Sequence, residues 1–258
     1  MVLSRRAAVA MTLAASSAFA AEAPTVALIT GANRGIGFEF AKQHAERGYR
    51  VIATARDPSK ATDLQALAKA HKLVSIEKLD VTDLVAIDAL AAKLKGTPID
   101  LLVNNAGIGG GGNNQNFGTI NYAVFDDVMK TNVQGPLKMT EAFMPHVMAS
   151  RLKKVVLVTS SQGSIASVNR PSLYFYRASK SAVNMALRNV ALAVKDKGVM
   201  ICMVAPGATD TDFMAEVRGR MPLGNPADRT KAMIGLIDKC TMELTAVPIE
   251  WDGTTIPW

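Results

Sequence analysis

Residues 30–37 read Thr-Gly-Ala-Asn-Arg-Gly-Ile-Gly, a glycine-rich turn that stands directly behind an apolar run and directly ahead of an amphipathic stretch. Glycine lets the backbone turn tightly and come close to a ligand. The free amides at the start of the following helix attract negative charge. At the first strand-to-helix turn of a βαβ unit, this combination implies a seat for the pyrophosphate of a dinucleotide. The chain is thereby constrained to an α/β architecture in which the first strand sits inside a parallel sheet.

The rest of the sequence supports that constraint. Short apolar runs at 25–30, 50–54, 73–79, 99–103, 154–159, 199–205 and 245–251 read as strands, and they alternate with amphipathic stretches at 36–47, 58–70, 83–94, 125–146, 174–194 and 226–240. Seven strands with intervening helices predict a single-domain α/β fold over 24–258, its mostly parallel sheet covered on both faces. Gly48 follows the first helix where a C-cap belongs. Residues 107–116 are rich in glycine and asparagine and cannot be regular structure. Within them Gly109 to Gly112 read as a mobile loop near the substrate mouth, since the phosphate role is already filled.

Composition excludes several classes. The net charge of +7 falls to +5 without Arg5 and Arg6, and no basic stripe is interleaved with aromatics, so nucleic acid is not an expected partner. Cys202 and Cys240 form no CxxC and no Cys/His cluster, and are read as two small buried hydrophobes. His44, His71 and His146 are scattered, so no metal site is expected. Ser4-Arg5-Arg6, an apolar stretch from Ala7 to Ala15 and Ala18-Phe19-Ala20 make 1–20 an export signal of twin-arginine type, too short for a permanent membrane anchor. The expected location is periplasmic or exported, with an uncleaved leader on a cytoplasmic protein as the alternative.

The end of the second strand discriminates between nicotinamide cofactors. An acid there accepts hydrogen bonds from the ribose and repels a 2′-phosphate. This chain offers Arg56, with Arg34 in the glycine turn, and two guanidiniums favour NADP(H). Asp57, one residue on, leaves an NAD(H) reading as the alternative.

Tyr176 and Lys180 stand at i and i+4 on one face of the helix at 174–194. A phenol titrates near 10 and exchanges protons poorly at neutral pH unless a nearby cation stabilises its phenolate, which Lys180 and an oxidised nicotinamide would do. Upstream, Thr159-Ser160-Ser161-Gln162-Gly163-Ser164 ends a strand at the sheet's carboxyl edge, where a hydroxyl can polarise a substrate carbonyl. No G-x-S-x-G elbow is present, which disfavours a serine hydrolase.

Taken together these motifs resemble the short-chain dehydrogenase/reductase family over 25–258. Its T-G-x-x-x-G-x-G, N-N-A-G, Y-x-x-x-K and P-G-x-x-x-T stand here as 30–37, 104–107, 176–180 and 206–211. Residues 31–37, 174–180 and the closing Trp-Asp-Gly-Thr-Thr-Ile-Pro-Trp at 251–258 are similar to the C-factor and Sniffer-type carbonyl reductases. The resemblance implies a single-domain Rossmann fold and a catalytic tetrad of Asn132, Ser160, Tyr176 and Lys180, with Ser161 and Ser164 as other choices for the serine. Asn132 would hold a water joining Lys180 to solvent. The cofactor would lie on Gly31, Asn33, Arg34, Gly35, Ile36 and Gly37. It would also meet Arg56, Asp80 and Val81, then Asn104, Ala106 and Gly107, and finally Tyr176, Lys180, Pro206, Gly207 and Thr211. The implied reaction is NADP(H)-dependent reduction of a ketone or aldehyde by hydride transfer, with Tyr176 as acid/base. An NAD(H)-dependent alcohol dehydrogenase and a dinucleotide-binding signalling protein without turnover are the alternatives. A homodimer or homotetramer is the expected assembly.

Overall fold

The computed structural model describes residues 23–258, so the expected signal at 1–20 lies outside the described residues. Seven strands form one sheet: β1 (Val26–Ile29), β2 (Arg50–Ala55), β3 (Val74–Lys78), β4 (Leu101–Asn104), β5 (Lys154–Val158), β6 (Met200–Ala205) and β7 (Pro248–Glu250). Their order is β3-β2-β1-β4-β5-β6-β7, and every pairing within it is parallel. The chain leaves β1 toward β2 on one side and returns to β4 on the other. The carboxyl ends of β1 and β4 therefore flank the topological switch point, where such sheets leave a crevice for ligands.

Both faces of the sheet are covered, which is why its strands read as near-continuous apolar runs. Ala27, Ile29, Val103, Val156 and Val204 face one core with Phe40 of α1 (Gly35–Glu46), Leu64 of α2 (Thr62–Ala70) and Ile237 of α7 (Pro226–Asp238). Leu28, Leu102, Leu157 and Ile201 face the other with Ile87 of α3 (Leu84–Lys93), Phe143 of α5 (Gly135–Met148) and Leu187 of α6 (Tyr174–Val194). Successive strand residues alternate between the two cores, as the period of a pleated strand requires.

Three differences from the sequence expectation have physical causes. The stretch at 58–70 breaks after a 3-10 turn at Pro58–Lys60, which Asp57 caps by accepting from the Ser59 amide. The helix expected at 125–146 carries a π turn at Lys130–Gln134 between α4 (Phe125–Met129) and α5. That extra residue per turn rotates Asn132 inward, where it is buried. Cys202 and Cys240 are buried as expected but are not separate hydrophobes. They form a disulfide that ties β6 to the end of α7, with Cα atoms 6.1 Å apart and 38 residues between them in sequence. Their pairing is set by the βαβ geometry, which brings the two residues together, and no local spacing signals it.

A closed loop of 38 residues predicts that replacing both cysteines by alanine costs about 4 kcal/mol, if loop-closure entropy in the unfolded chain dominates. Urea unfolding of wild type and the double variant checks this. Thiol titration of the denatured, unreduced wild type should find no free cysteine, and two reactive thiols would overturn the pairing.

Candidate active site

Thr30 and Asn105 build the cofactor side of the crevice. The Thr30 hydroxyl accepts from the amides of Asn105 (3.0 Å) and Ala106 (3.1 Å), and the Asn105 Nδ2 donates to the carbonyls of Thr30 (2.9 Å) and Gly31 (3.2 Å). The glycine turn is thus fastened to the segment after β4. Gly31 and Gly35 hold positive φ of 64° and 55°, and a Cβ on Gly37 would collide with the Gly31 carbonyl and the Asn105 amide. Arg34, the N-cap of α1, makes no side-chain cap. The helix therefore presents uncapped amides at the bottom of a cradle that tolerates no side chain, which suits a pyrophosphate.

Around this cradle most of the expected residues gather. Asn33 is half-buried in the turn, and Ile36 packs against the core beneath it. Ala106 and Gly107 continue from β4, and Thr211 approaches from beyond β6, its Cγ2 standing 3.2 Å from where a Gly35 Cβ would be. Pro206 and Gly207 close the end of β6, with Gly207 at φ 66° against Glu250 and Trp251. Asp80 accepts from the Thr82 amide (2.9 Å) and hydroxyl (2.7 Å), and Val81 is buried against Gly135. Arg56 is exposed at the end of β2, and Arg34 lies 3.5 Å from Asp212 in an exposed ion pair. The Asn104 side chain is buried and donates to the Thr140 hydroxyl (3.1 Å) of α5, so this residue can face the crevice only through its backbone. Asn105, its neighbour, performs the structural work that the N-N-A-G pattern alone does not apportion.

The catalytic side rests on α6. Tyr176 and Lys180 are both buried on its inner face, and the Lys180 Nζ donates to the Val158 carbonyl at the end of β5 (3.0 Å). The Ser160 side chain stands close enough to the phenol to lower its proton affinity, and its oxygen accepts from the Gln162 amide (3.1 Å). Ser164 donates to the Ser167 hydroxyl (2.9 Å), Ser161 faces Glu250, and Ser160 faces the phenol. Asn132 donates to the Ile108 carbonyl (2.8 Å) and the Ser179 hydroxyl (2.9 Å), and accepts from the Ile108 amide (2.8 Å). Its amide hydrogens are thereby used up, leaving acceptor capacity on Oδ1 alone for a water. A Cβ on Gly107 would stand 3.3 Å from that Oδ1 and 3.9 Å from the Lys180 Nζ, so glycine keeps the space between them open.

Burial governs the proton affinities here. It pushes the Tyr176 phenol up to about 12, against a smaller lowering from Ser160, and the Lys180 ammonium down to about 8. Burial thus makes the phenol a weaker acid than a free one, and the lowering expected from Lys180 does not offset it.

Two further loops close over Tyr176. The Phe213 ring lies 5.3 Å from the Tyr176 ring and against Gly109. The glycine run at 107–116 has defined local structure. It contains a 3-10 turn at Gly112–Gln115, the Gly112 amide donates to Glu216 (3.2 Å), and Gln115 is wholly buried. Gln115 was invisible to motif reading because its partners lie 60 residues away. Among the described residues, no cluster of three His, Cys, Asp or Glu could hold a metal ion, and no helix is long and apolar enough to cross a membrane.

Comparison with known proteins agrees with this geometry. A family profile described as short chain dehydrogenase matches residues 25–221, and the chain belongs to that family. The solved carbonyl reductase Sniffer of D. melanogaster superimposes with a TM-score of 0.82 at 26% identity, covering 92% of this chain and 100% of that one. An NADPH-bound carbonyl reductase from chicken fatty liver gives 0.82 at 28%, covering 91% and 99%. C-signal of Myxococcus xanthus is 32% identical over 171 residues, which is 66% of this chain and 99% of the relative.

The Lys180 shift makes a signed prediction. Because the folded value of about 8 lies below the ordinary 10.5, burying the ammonium costs stability wherever it stays charged, that is below pH 8, and the cost vanishes as pH rises to 10.5. At one pKa unit per 1.4 kcal/mol, Lys180→Met should relieve up to about 3 kcal/mol at pH 7. Denaturant unfolding across pH should show the variant's relative advantage shrinking between 8 and 10.5. A difference independent of pH would contradict the burial argument.

Proposed function

We propose that this short-chain dehydrogenase reduces a ketone or aldehyde with NADPH, Tyr176 giving the proton. The observation that carries the reading is the buried Tyr176 phenol, facing Ser160, on the same helical face as Lys180 and at the carboxyl edge of the sheet. NADPH supplies the hydride when bound. Ser160 orients and polarises the carbonyl oxygen, and Tyr176 protonates it as charge develops. Lys180 holds the nicotinamide ribose and steadies the phenolate left behind, while Asn132 braces α6 against the loop after β4. Thr211 meets the carboxamide, and Asp80 and Val81 flank the adenine.

Two features support NADPH over NADH. Asp57 is committed to the Ser59 amide and hydroxyl and to Lys60, which also hold its carboxyl below the ordinary range. That removes the acid best placed to receive a ribose hydroxyl. Arg34 and Arg56 are both exposed at the rim and can turn to a 2′-phosphate. The NADPH-bound relative supports the same choice. Export through a twin-arginine signal is the location we favour, since a disulfide persists in an oxidising compartment.

NADPH oxidation with a panel of aromatic and aliphatic carbonyls tests the proposal. Tyr176→Phe should lower turnover by about 10²–10⁴-fold, the usual contribution of a positioned acid, and unchanged turnover would remove Tyr176 from the mechanism. In the same assay NADPH should be preferred to NADH. Replacing Arg34 and Arg56 together by alanine should erase most of that preference, at about 10-fold or more per lost charge-assisted contact. Equal use of NADH by wild type would overturn the cofactor assignment.

A further inference from the structure

Beyond Gly107 and Gly109 the glycine run up to residue 116 has no place in the chemistry above, yet it is fixed to the helix that carries Tyr176. α6 begins without a cap of its own: its N-cap residue, Leu173, sits in the left-handed region at φ 55° and makes no side-chain hydrogen bond. The amides of the second and third helical residues, Phe175 and Tyr176, would be left unpaired in a buried position. Both instead donate to the Oε1 of Gln115, at 2.8 and 3.1 Å. These are the two amides that a local capping side chain normally satisfies.

The other half of the same amide group faces the glycine run. Gln115 Nε2 donates to the carbonyls of Gly109 (2.8 Å) and Gly111 (3.0 Å). Gly110 and Gly111 hold φ of 76° and 73°, the left-handed conformation that any side chain resists. A Cβ on Gly110 would also stand 2.8 Å from Val128 and 3.2 Å from Gln115 itself. The run of glycines thus turns two carbonyls onto one side-chain amide. Tyr122 and Phe125 seat their rings against Phe175, at 5.8 and 5.1 Å, and hold the same segment on α6.

We infer that Gln115 is a positioning residue for catalysis, which caps the first turn of α6 from 60 residues away and so fixes where Tyr176 stands relative to Ser160 and the loop at the substrate mouth. The inference rests on Tyr176 being the proton donor. A displaced first turn moves the phenol with respect to a bound carbonyl, and misplacement by about 1 Å is enough to cost about 100-fold in rate.

The test compares Gln115→Met, which keeps length and loses every hydrogen bond, with Gln115→Glu, which keeps an acceptor for the two helix amides. Each is measured in the full chain with NADPH and an aldehyde that wild type reduces, alongside Tyr176→Phe. Gln115→Met should lower kcat by about 10- to 100-fold while the NADPH dissociation constant stays within about twofold, and Gln115→Glu should recover most of kcat. In the chain without cofactor, hydrogen exchange at the Phe175 and Tyr176 amides should quicken at least tenfold in Gln115→Met and stay slow in Gln115→Glu. Unchanged kcat and exchange in Gln115→Met would overturn the inference, as would equal losses of kcat and of NADPH binding in both variants. Should Gln115→Met fail to fold, slow exchange with near-normal kcat in Gln115→Glu supports the capping role, and loss of both overturns it. If Tyr176→Phe keeps its activity, the proton-donor reading fails instead, and the exchange measurement still decides the cap.

Discussion

One threonine hydroxyl joins the two halves of the crevice. Thr30 Oγ1 receives the amides of Asn105 and Ala106 at the point where β1 and β4 diverge, so the glycine turn and the segment that leads into the glycine run are held to a common origin. A parallel sheet has no hairpin at this edge to fix one loop against the next. Side-chain hydrogen bonds to backbone must do it, and Asn105 adds two more to the turn. From this knot the chain runs through Gly107, past Asn132 and Lys180, to the carbonyls that meet Gln115. Cofactor cradle and catalytic helix are therefore parts of one connected network of backbone contacts.

That network accounts for three local irregularities. The π turn at Lys130–Gln134 brings Asn132 to the Ile108 backbone and to Ser179, whose hydroxyl in turn donates to the Tyr176 carbonyl (2.8 Å). The left-handed Leu173 gives up local capping and leaves the first turn of α6 to Gln115. Two consecutive left-handed glycines turn their neighbours' carbonyls toward that glutamine. Each is a departure from regular geometry, and each ends in a hydrogen bond to the segment that bears Tyr176. Strained or π-type backbone of this kind concentrates at functional sites because the surroundings must over-determine it.

What was legible in the sequence is what short-range pattern encodes. The glycine turn after β1, the alternation of apolar runs with amphipathic stretches and the Tyr176/Lys180 spacing each depend on neighbours within a few residues, and the sheet and α6 follow from them. The π turn was not legible, because it spans only the 5 residues Lys130–Gln134, too few to show as a break in the apolar period. The Cys202–Cys240 bond and the Gln115 cap join residues 38 and 60 positions apart. Only the folded topology brings such partners together. Asn104 and Asn105 show a subtler limit: adjacent identical residues on a strand end point to opposite faces, and which one turns to Thr140 is settled by the packing of α5.

Burial displaces both proton affinities of the Tyr176 and Lys180 pair in the direction that disfavours the charged form. With the phenol neutral, Lys180 is a lone ammonium in the interior, and desolvation is what drives it down to about 8. With the phenol deprotonated alone, the same burial raises its affinity to about 12. In the proposed reaction, passing the Tyr176 proton to a substrate oxygen would leave a phenolate on the same helical face as the Lys180 ammonium. A charge that was unpaired becomes compensated, and the desolvation cost borne by each group separately is offset by their attraction. Under that proposal the lysine would act most strongly on the state that follows proton transfer, where differential stabilisation speeds a step.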